Sequence, residues 1–376
     1  MKVEVFEMER FQSVWENRVA HNLSESGVHP MSVEELLAGE GHEALLRQRL
    51  VYVQSNGSPA LREAIAALYP GATADNVVVA NGTAEANYIS VWRLVEPGDE
   101  VVLMLPNYMQ LWGVARGQGA TVVPWHLREE RSWGPDLDEL DSLVGPRTRL
   151  IALVNPNNPT GAILGEEAMR RIAAAAARHG SWLLADEVYR GAERDGRESP
   201  TFWGLYDRVL VTCGLSKAYG LPGLRVGWVV GPPDTVFDLW ARKDYLTIAP
   251  GALSDLLARH ALRPDVRPRI LARTRAIIRS NDAVLDPWLR AQKPDAFRVV
   301  PPRAGAIAYL RYSWPIPSLR LMERLRDEQG VLVVPGAHFG MEGFLRVGLG
   351  NEPQDFASAL ERAGAVLESL GPAPGF

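Results

Sequence analysis

Cysteine is nearly missing from this sequence: Cys213 is the one thiol in 376 residues. A lone thiol forms neither an internal disulfide nor a multi-thiolate metal site, and secreted chains of this size usually carry paired cysteines. Cys213 reads as a small buried residue at the end of a strand. An excess of one charge is missing too. Forty Lys and Arg stand against 45 Asp and Glu, for a formal net charge of −5 with both signs interspersed. Such a balance offers no electrostatic footprint for nucleic acid or anionic lipid. No apolar run reaches the roughly 18 residues of a membrane span. The start MKVEVFEMERFQ places Glu4, Glu7 and Glu9 where the apolar core of a signal peptide would lie. A cytoplasmic protein with no nucleic-acid or membrane partner is expected. There is no HExxH, no paired-Cys motif and no cluster among the seven His, so no catalytic metal is expected. Gly220, Gly223 and Gly227 do not form a dinucleotide fingerprint, and Ser216 lacks the context of a nucleophile elbow.

What is present is a strong rhythm. Short β-branched runs at 77–80, 101–105, 121–123, 150–154, 182–185, 209–212 and 226–230 alternate with helical patterns such as 59–68, 84–95 and 166–179. That alternation predicts an α/β architecture whose seven strands form one mainly parallel sheet. After about residue 263 an Arg-rich helical stretch, 268–290, is followed by only a few strand-like runs, which predicts a second, smaller α+β domain. The division expected is an N-terminal arm and part of the small domain over 1–44, a large domain over 45–267, and the C-terminal small domain over 268–376. The arm holds a polar turn-like stretch, Asn22-Leu23-Ser24-Glu25-Ser26-Gly27.

Ligands of open parallel sheets bind outside the carboxyl ends of the strands, and four such ends carry unusual residues. They are Asn81-Gly82-Thr83-Ala84-Glu85, Asn155-Pro156-Asn157-Asn158-Pro159-Thr160-Gly161, Asp186-Glu187-Val188-Tyr189 and Gly214-Leu215-Ser216-Lys217. Singly, each has an ordinary structural explanation: Asp186 could cap a helix, the Asn-Pro pairs could be turns, and Lys217 could be a solvated surface residue. Jointly they bring a lysine, an acid, a tyrosine, an asparagine and an anion-binding helix start toward one crevice, which is what a pyridoxal phosphate site requires.

The run Ser216-Lys217-Ala218-Tyr219-Gly220-Leu221-Pro222-Gly223-Leu224-Arg225-Val226-Gly227-Trp228 resembles the class I/II aminotransferases, fold-type I pyridoxal phosphate enzymes. The resemblance extends from Tyr52 to Arg346. It implies a large cofactor domain, a smaller domain, and pyridoxal 5'-phosphate as cofactor. By the same resemblance Lys217 is the Schiff-base lysine, and Asp186 pairs with the pyridine nitrogen. Tyr189 and Asn158 reach the ring's phenolic oxygen, and Tyr108 stacks on the ring. Gly82, Thr83 and Ala84 at a helix start, with Ser216 and Arg225, hold the phosphate. The family often has a further hydroxyl three residues before the lysine, where this chain has Gly214, so one phosphate contact is missing or comes from elsewhere. Arg346 matches the arginine that takes the substrate α-carboxylate, with Gly27 and Asn158 beside it. Tyr52 matches a tyrosine that reaches the phosphate in the neighbouring subunit's site, which implies a homodimer.

The reaction this resemblance implies is transfer of an amino group between an L-amino acid and a 2-oxo acid. Local stretches, among them Ser26-Gly27-Val28-His29 and Asp244-Tyr245-Leu246-Thr247, also resemble the capreomycidine synthases, which eliminate from a hydroxyarginine and cyclise. That alternative stays open. Trp15, His29, Trp112 and Tyr245 are candidate walls for the substrate side chain, with core packing as the competing explanation for each. No residue is assigned as a second carboxylate-binding arginine, although Arg242 is nearby in sequence.

Overall fold

The computed structural model describes residues 3–292 and 295–376; the remaining residues of the 1–44 and 268–376 segments lie outside the described residues. Seven strands build the main sheet: β2 Val77–Ala80, β3 Glu100–Leu105, β4 Thr121–His126, β5 Thr148–Val154, β6 Trp182–Asp186, β7 Val209–Gly214 and β8 Gly227–Val230. Their spatial order is β2-β8-β7-β6-β5-β3-β4. All neighbours are parallel except β8, which runs antiparallel to both β2 and β7. The seven runs read as strands from sequence thus form one sheet. Near its centre, β7 is buried end to end and β6 in all but its first residue, Trp182, as parallel strands covered by helices on both faces must be. One apolar cluster lies on each face.

Strand β4 runs three residues beyond the 121–123 expected, through Pro124 to His126. Proline has no N–H for a ladder bond, but β4 is an edge strand with β3 as its one neighbour, where proline is tolerated. The crossover helix Glu166–His179 shows why these segments become helices. Glu166 and Glu167 stand in its first turn, Arg178 and His179 in its last, and Gly180 closes it in the left-handed conformation. Its apolar stripe of Met169, Ile172, Ala173 and Ala176 packs on the sheet.

A second sheet is built from β9 Phe297–Val299, β10 Ile307–Tyr312, β12 Val334–Pro335 and β13 Phe344–Gly348, antiparallel in the order β12-β13-β10-β9. The helices Ser318–Gln329 and Pro353–Ser369 pack against it, and Leu23 joins their apolar cluster. The chain's first strand, β1 His21–Asn22, pairs in parallel with β11 Val331–Leu332. This pairing draws the N-terminal segment over the second sheet and across the carboxyl ends of β5 to β7. The peptide bonds Leu105-Pro106, Asn155-Pro156 and Asn158-Pro159 are cis. Among the described residues no helix is long and apolar enough to cross a membrane.

Candidate active site

A cleft of about 640 Å³ opens where β5, β6 and β7 end, between the start of the helix Thr83–Leu94 and the N-terminal segment. Lys217, on the loop after β7, reaches into it. Its Nζ donates to Glu25 Oε2 at 3.2 Å. Burial works against the charged amine, but the Glu25 carboxylate and the Tyr189 hydroxyl outweigh it, and the pKa lies above the ordinary lysine value. Lys217 in turn holds the Glu25 carboxyl below its usual range.

Asp186 ends β6 on the cleft floor and is 4 % exposed. Asn87 Nδ2 donates to its Oδ2 at 2.8 Å, and the Val188 N–H donates to its Oδ1 at 3.0 Å. Asn87 is itself oriented by Thr212 Oγ1, which donates to Asn87 Oδ1 at 2.6 Å. Burial pushes the Asp186 carboxyl up to about 6, against the pull of these donors and of Lys217. A carboxyl in that condition has room for one more stabilising partner, a cation or an N–H.

At one end of the cleft the helix Thr83–Leu94 begins without a side-chain cap, so its first N–H groups and its dipole face the opening. Its N-cap Gly82 has φ 86°, and a Cβ there would run into the Arg225 guanidinium. Arg225 Nη1 lies 3.5 Å from Ser216 Oγ. The Thr83 hydroxyl is buried without a hydrogen-bond partner. Gly214 explains itself at this point: a Cβ on it would stand 2.5 Å from Thr83 Oγ1 and 2.9 Å from the Val226 carbonyl oxygen. The space for a side chain at 214 is occupied by the Thr83 hydroxyl.

Arg346, on β13, is 1 % exposed. Its Nη1 donates to Asn158 Oδ1 at 2.9 Å, its Nη2 to the Ser24 carbonyl, and its Nε has no partner. Tyr189 donates to Ser26 Oγ at 2.9 Å. Tyr108 donates to Glu9 Oε1 at 2.7 Å, and its own hydroxyl proton is held tightly by burial and by Glu9.

Every site residue expected from sequence lines this cleft except Gly82, which stands behind Arg225, and Tyr52, which is 86 % exposed and is not among the lining residues. Of the candidate walls, His29 lines the cleft. Trp15 instead lies under Arg326, Trp112 packs on the sheet, and Tyr245 is exposed beside Trp92. Arg242 also lies over Trp92. Sequence reasoning missed Asn87, Glu25, Glu9 and Glu16. Asn87 follows Thr83 by one helical turn, a spacing that puts both on one face. The glutamates carried a weaker signal, a seven-residue repeat and one charge within a turn of small residues.

Residues 23–362 match the family described as aminotransferase class I and II. The chain is 36% identical to capreomycidine synthase of Streptomyces vinaceus over 359 residues, covering 93% of this chain and 90% of that protein. It is 32% identical to an arginine–pyruvate transaminase of Pseudomonas aeruginosa, covering 86% and 82% respectively. A solved structure of a PLP-dependent aminotransferase from Streptococcus suis superposes with a TM-score of 0.92 at 32% identity, covering 98% of this chain and 99% of that one. A shared fold, a match over most of its length and a lysine beside a buried acid at the strand ends lead to one assignment: this chain is an enzyme of the aminotransferase class I and II family.

Proposed function

We propose that the enzyme is a pyridoxal phosphate-dependent aminotransferase that moves an amino group between an L-amino acid and a 2-oxo acid. The observation that supports this most is one cleft holding Lys217, the buried acid Asp186 and the buried arginine Arg346. The residues fit the cofactor on this chain's own terms. The Thr83 hydroxyl is an orphan beside an uncapped helix start, as a phosphate site requires, and Asp186 is a buried carboxyl short of a partner.

When bound, pyridoxal phosphate supplies an aldehyde that condenses with amines and a ring that accepts the electron pair of a substrate α-carbon. In this reading Lys217 holds the cofactor at rest and, once released, moves a proton at its Nζ. Asp186 pairs with the ring nitrogen, whose positive charge draws the carboxyl back toward full ionisation. Tyr189 and Asn158 donate to the ring oxygen, and Tyr108 covers a ring face. Gly82, Thr83, Ala84, Ser216 and Arg225 hold the phosphate, with the Thr83 hydroxyl in place of one at 214. Arg346 takes the substrate α-carboxylate, with Asn158 and the backbone of Gly27 alongside.

The same reading makes the enzyme a cytoplasmic homodimer, with Tyr52 reaching the neighbouring subunit's phosphate site. It divides the chain into an arm and part of the small domain over 1–44, a cofactor domain over 45–267 and a small domain over 268–376. The similarity to capreomycidine synthase favours a second reading, elimination and cyclisation of an arginine-derived amino acid.

Mixing the purified protein with pyridoxal phosphate is expected to produce a visible absorption band that borohydride removes and that Lys217→Ala lacks. No band in the wild type overturns both readings. Stoichiometric exchange of amino and oxo acids supports transamination; ammonia release or a cyclised product without an acceptor supports the second reading.

A further inference from the structure

The helix Glu7–Trp15 points charge in an unusual direction. Glu9, Gln12 and Glu16 are spaced i, i+3, i+7, which places them on one helical stripe, and all three line the cleft. Amphipathic helices turn such a stripe to solvent; this one turns it inward, toward Glu25 on the facing turn. Three carboxylates therefore share the mouth of one cleft. Glu25 pairs with Lys217. The Glu9 carboxylate accepts the neutral Tyr108 hydroxyl, and neither Glu9 nor Glu16 has an ion-pair partner among the described residues. Their mutual repulsion is visible in Glu16, whose carboxyl is pushed up by burial and then by Glu25 and Glu9. Lys217 offsets this charge at Glu16 and Glu25, with Arg346 adding to it at Glu25, and a lysine committed to the cofactor no longer does so.

An independent feature of the same cleft points to a ligand that also carries a negative group. Arg346 is buried, lines the cleft and keeps its Nε unpartnered. An amino-acid substrate whose α-carboxylate meets Arg346 would extend its side chain toward carboxylates. We infer, resting on the aminotransferase-family reading above, that Glu9, Glu16 and Glu25 form a side-chain subsite for a positively charged group, so that the substrate is a basic amino acid. A guanidinium suits three acceptors on two separate segments best, because it presents five N–H donors in a rigid fork.

The test uses a ligand that cannot react. Guanidinopentanoate has the carboxylate and guanidinium of arginine but no α-amine, and ureidopentanoate is its neutral counterpart. Calorimetry on the pyridoxal phosphate-loaded enzyme is expected to show the guanidino compound binding at least about ten-fold tighter, the scale of a charge-assisted hydrogen bond. Glu16→Gln and, separately, Glu9→Gln are expected to reduce that advantage several-fold while leaving ureidopentanoate affinity unchanged. Equal binding of the two compounds by the wild type overturns the inference, as does a parallel loss for both compounds in correctly folded variants. Comparing L-arginine with L-lysine and L-ornithine separates a guanidinium site from an ammonium site. Amino exchange that proceeds preferentially with neutral or acidic amino acids sinks this inference and leaves the proposed function standing; absence of the borohydride-sensitive band sinks the proposed function itself.

Discussion

At position 214 a glycine stands where resemblance leads one to expect a hydroxyl, and its neighbours give the reason. Thr83 Oγ1, the Val226 carbonyl and Gly227 close around the point where a Cβ would lie. The Thr83 hydroxyl stands where a side chain at 214 would lie. Gly214→Ala is therefore expected to cost about 1–3 kcal/mol of stability, the range for overpacking a tight interior, read as a lower urea midpoint with unchanged slope. A variant as stable as the wild type would show that the surrounding backbone gives way freely. Asp186 teaches the same lesson through electrostatics. The residue type alone allows a helix cap, whereas burial on the cleft floor raises the carboxyl to about 6 despite two donors.

The helix Thr83–Leu94 does more than cover the sheet. Its uncapped start faces the cleft, and one turn later Asn87 orients Asp186, so a single rigid element sets the separation between the helix start and the acid. The turn into it depends on Gly82, whose positive φ an L side chain adopts only with strain. Gly82→Ala both strains this turn and pushes Arg225 aside. The expected result is at least about ten-fold weaker retention of pyridoxal phosphate, the scale of a lost charge-assisted bond, measured by equilibrium dialysis; unchanged retention would remove Arg225 from the proposed phosphate site.

Seen whole, the chain leaves large apolar side chains in water along two stretches. Leu46, Leu50 and Tyr52 are 86 %, 80 % and 86 % exposed, and Tyr245 is 83 % exposed with Leu246, Ile248 and Leu253 near it in sequence. Exposed apolar groups gathered this way mark association surfaces, which supports the proposed homodimer. Sedimentation is expected to give a dimer at micromolar concentration, and Leu50→Asp combined with Tyr52→Asp to weaken it at least about ten-fold. A monomeric wild type would refute the dimer and with it the contribution of Tyr52 to a neighbouring site.

The sequence by itself determined the sheet. Runs of β-branched residues between helical segments leave few arrangements that bury both faces of seven strands, and the ends of those strands are where Lys217, Asp186 and Asn158 stand. It also carried the spacing from Lys217 to Arg225, because both lie on one short stretch of chain. Tertiary structure decided everything that depends on two distant segments meeting. Arg346 and Ser24 meet because β1 pairs with β11, Thr83 fills the space at Gly214, and the stripe of Glu9 and Glu16 faces Glu25 rather than solvent. Local propensity and periodicity report which face of an element is apolar; where a polar stripe ends up depends on which other segment packs over it, and that is settled only when the whole chain folds.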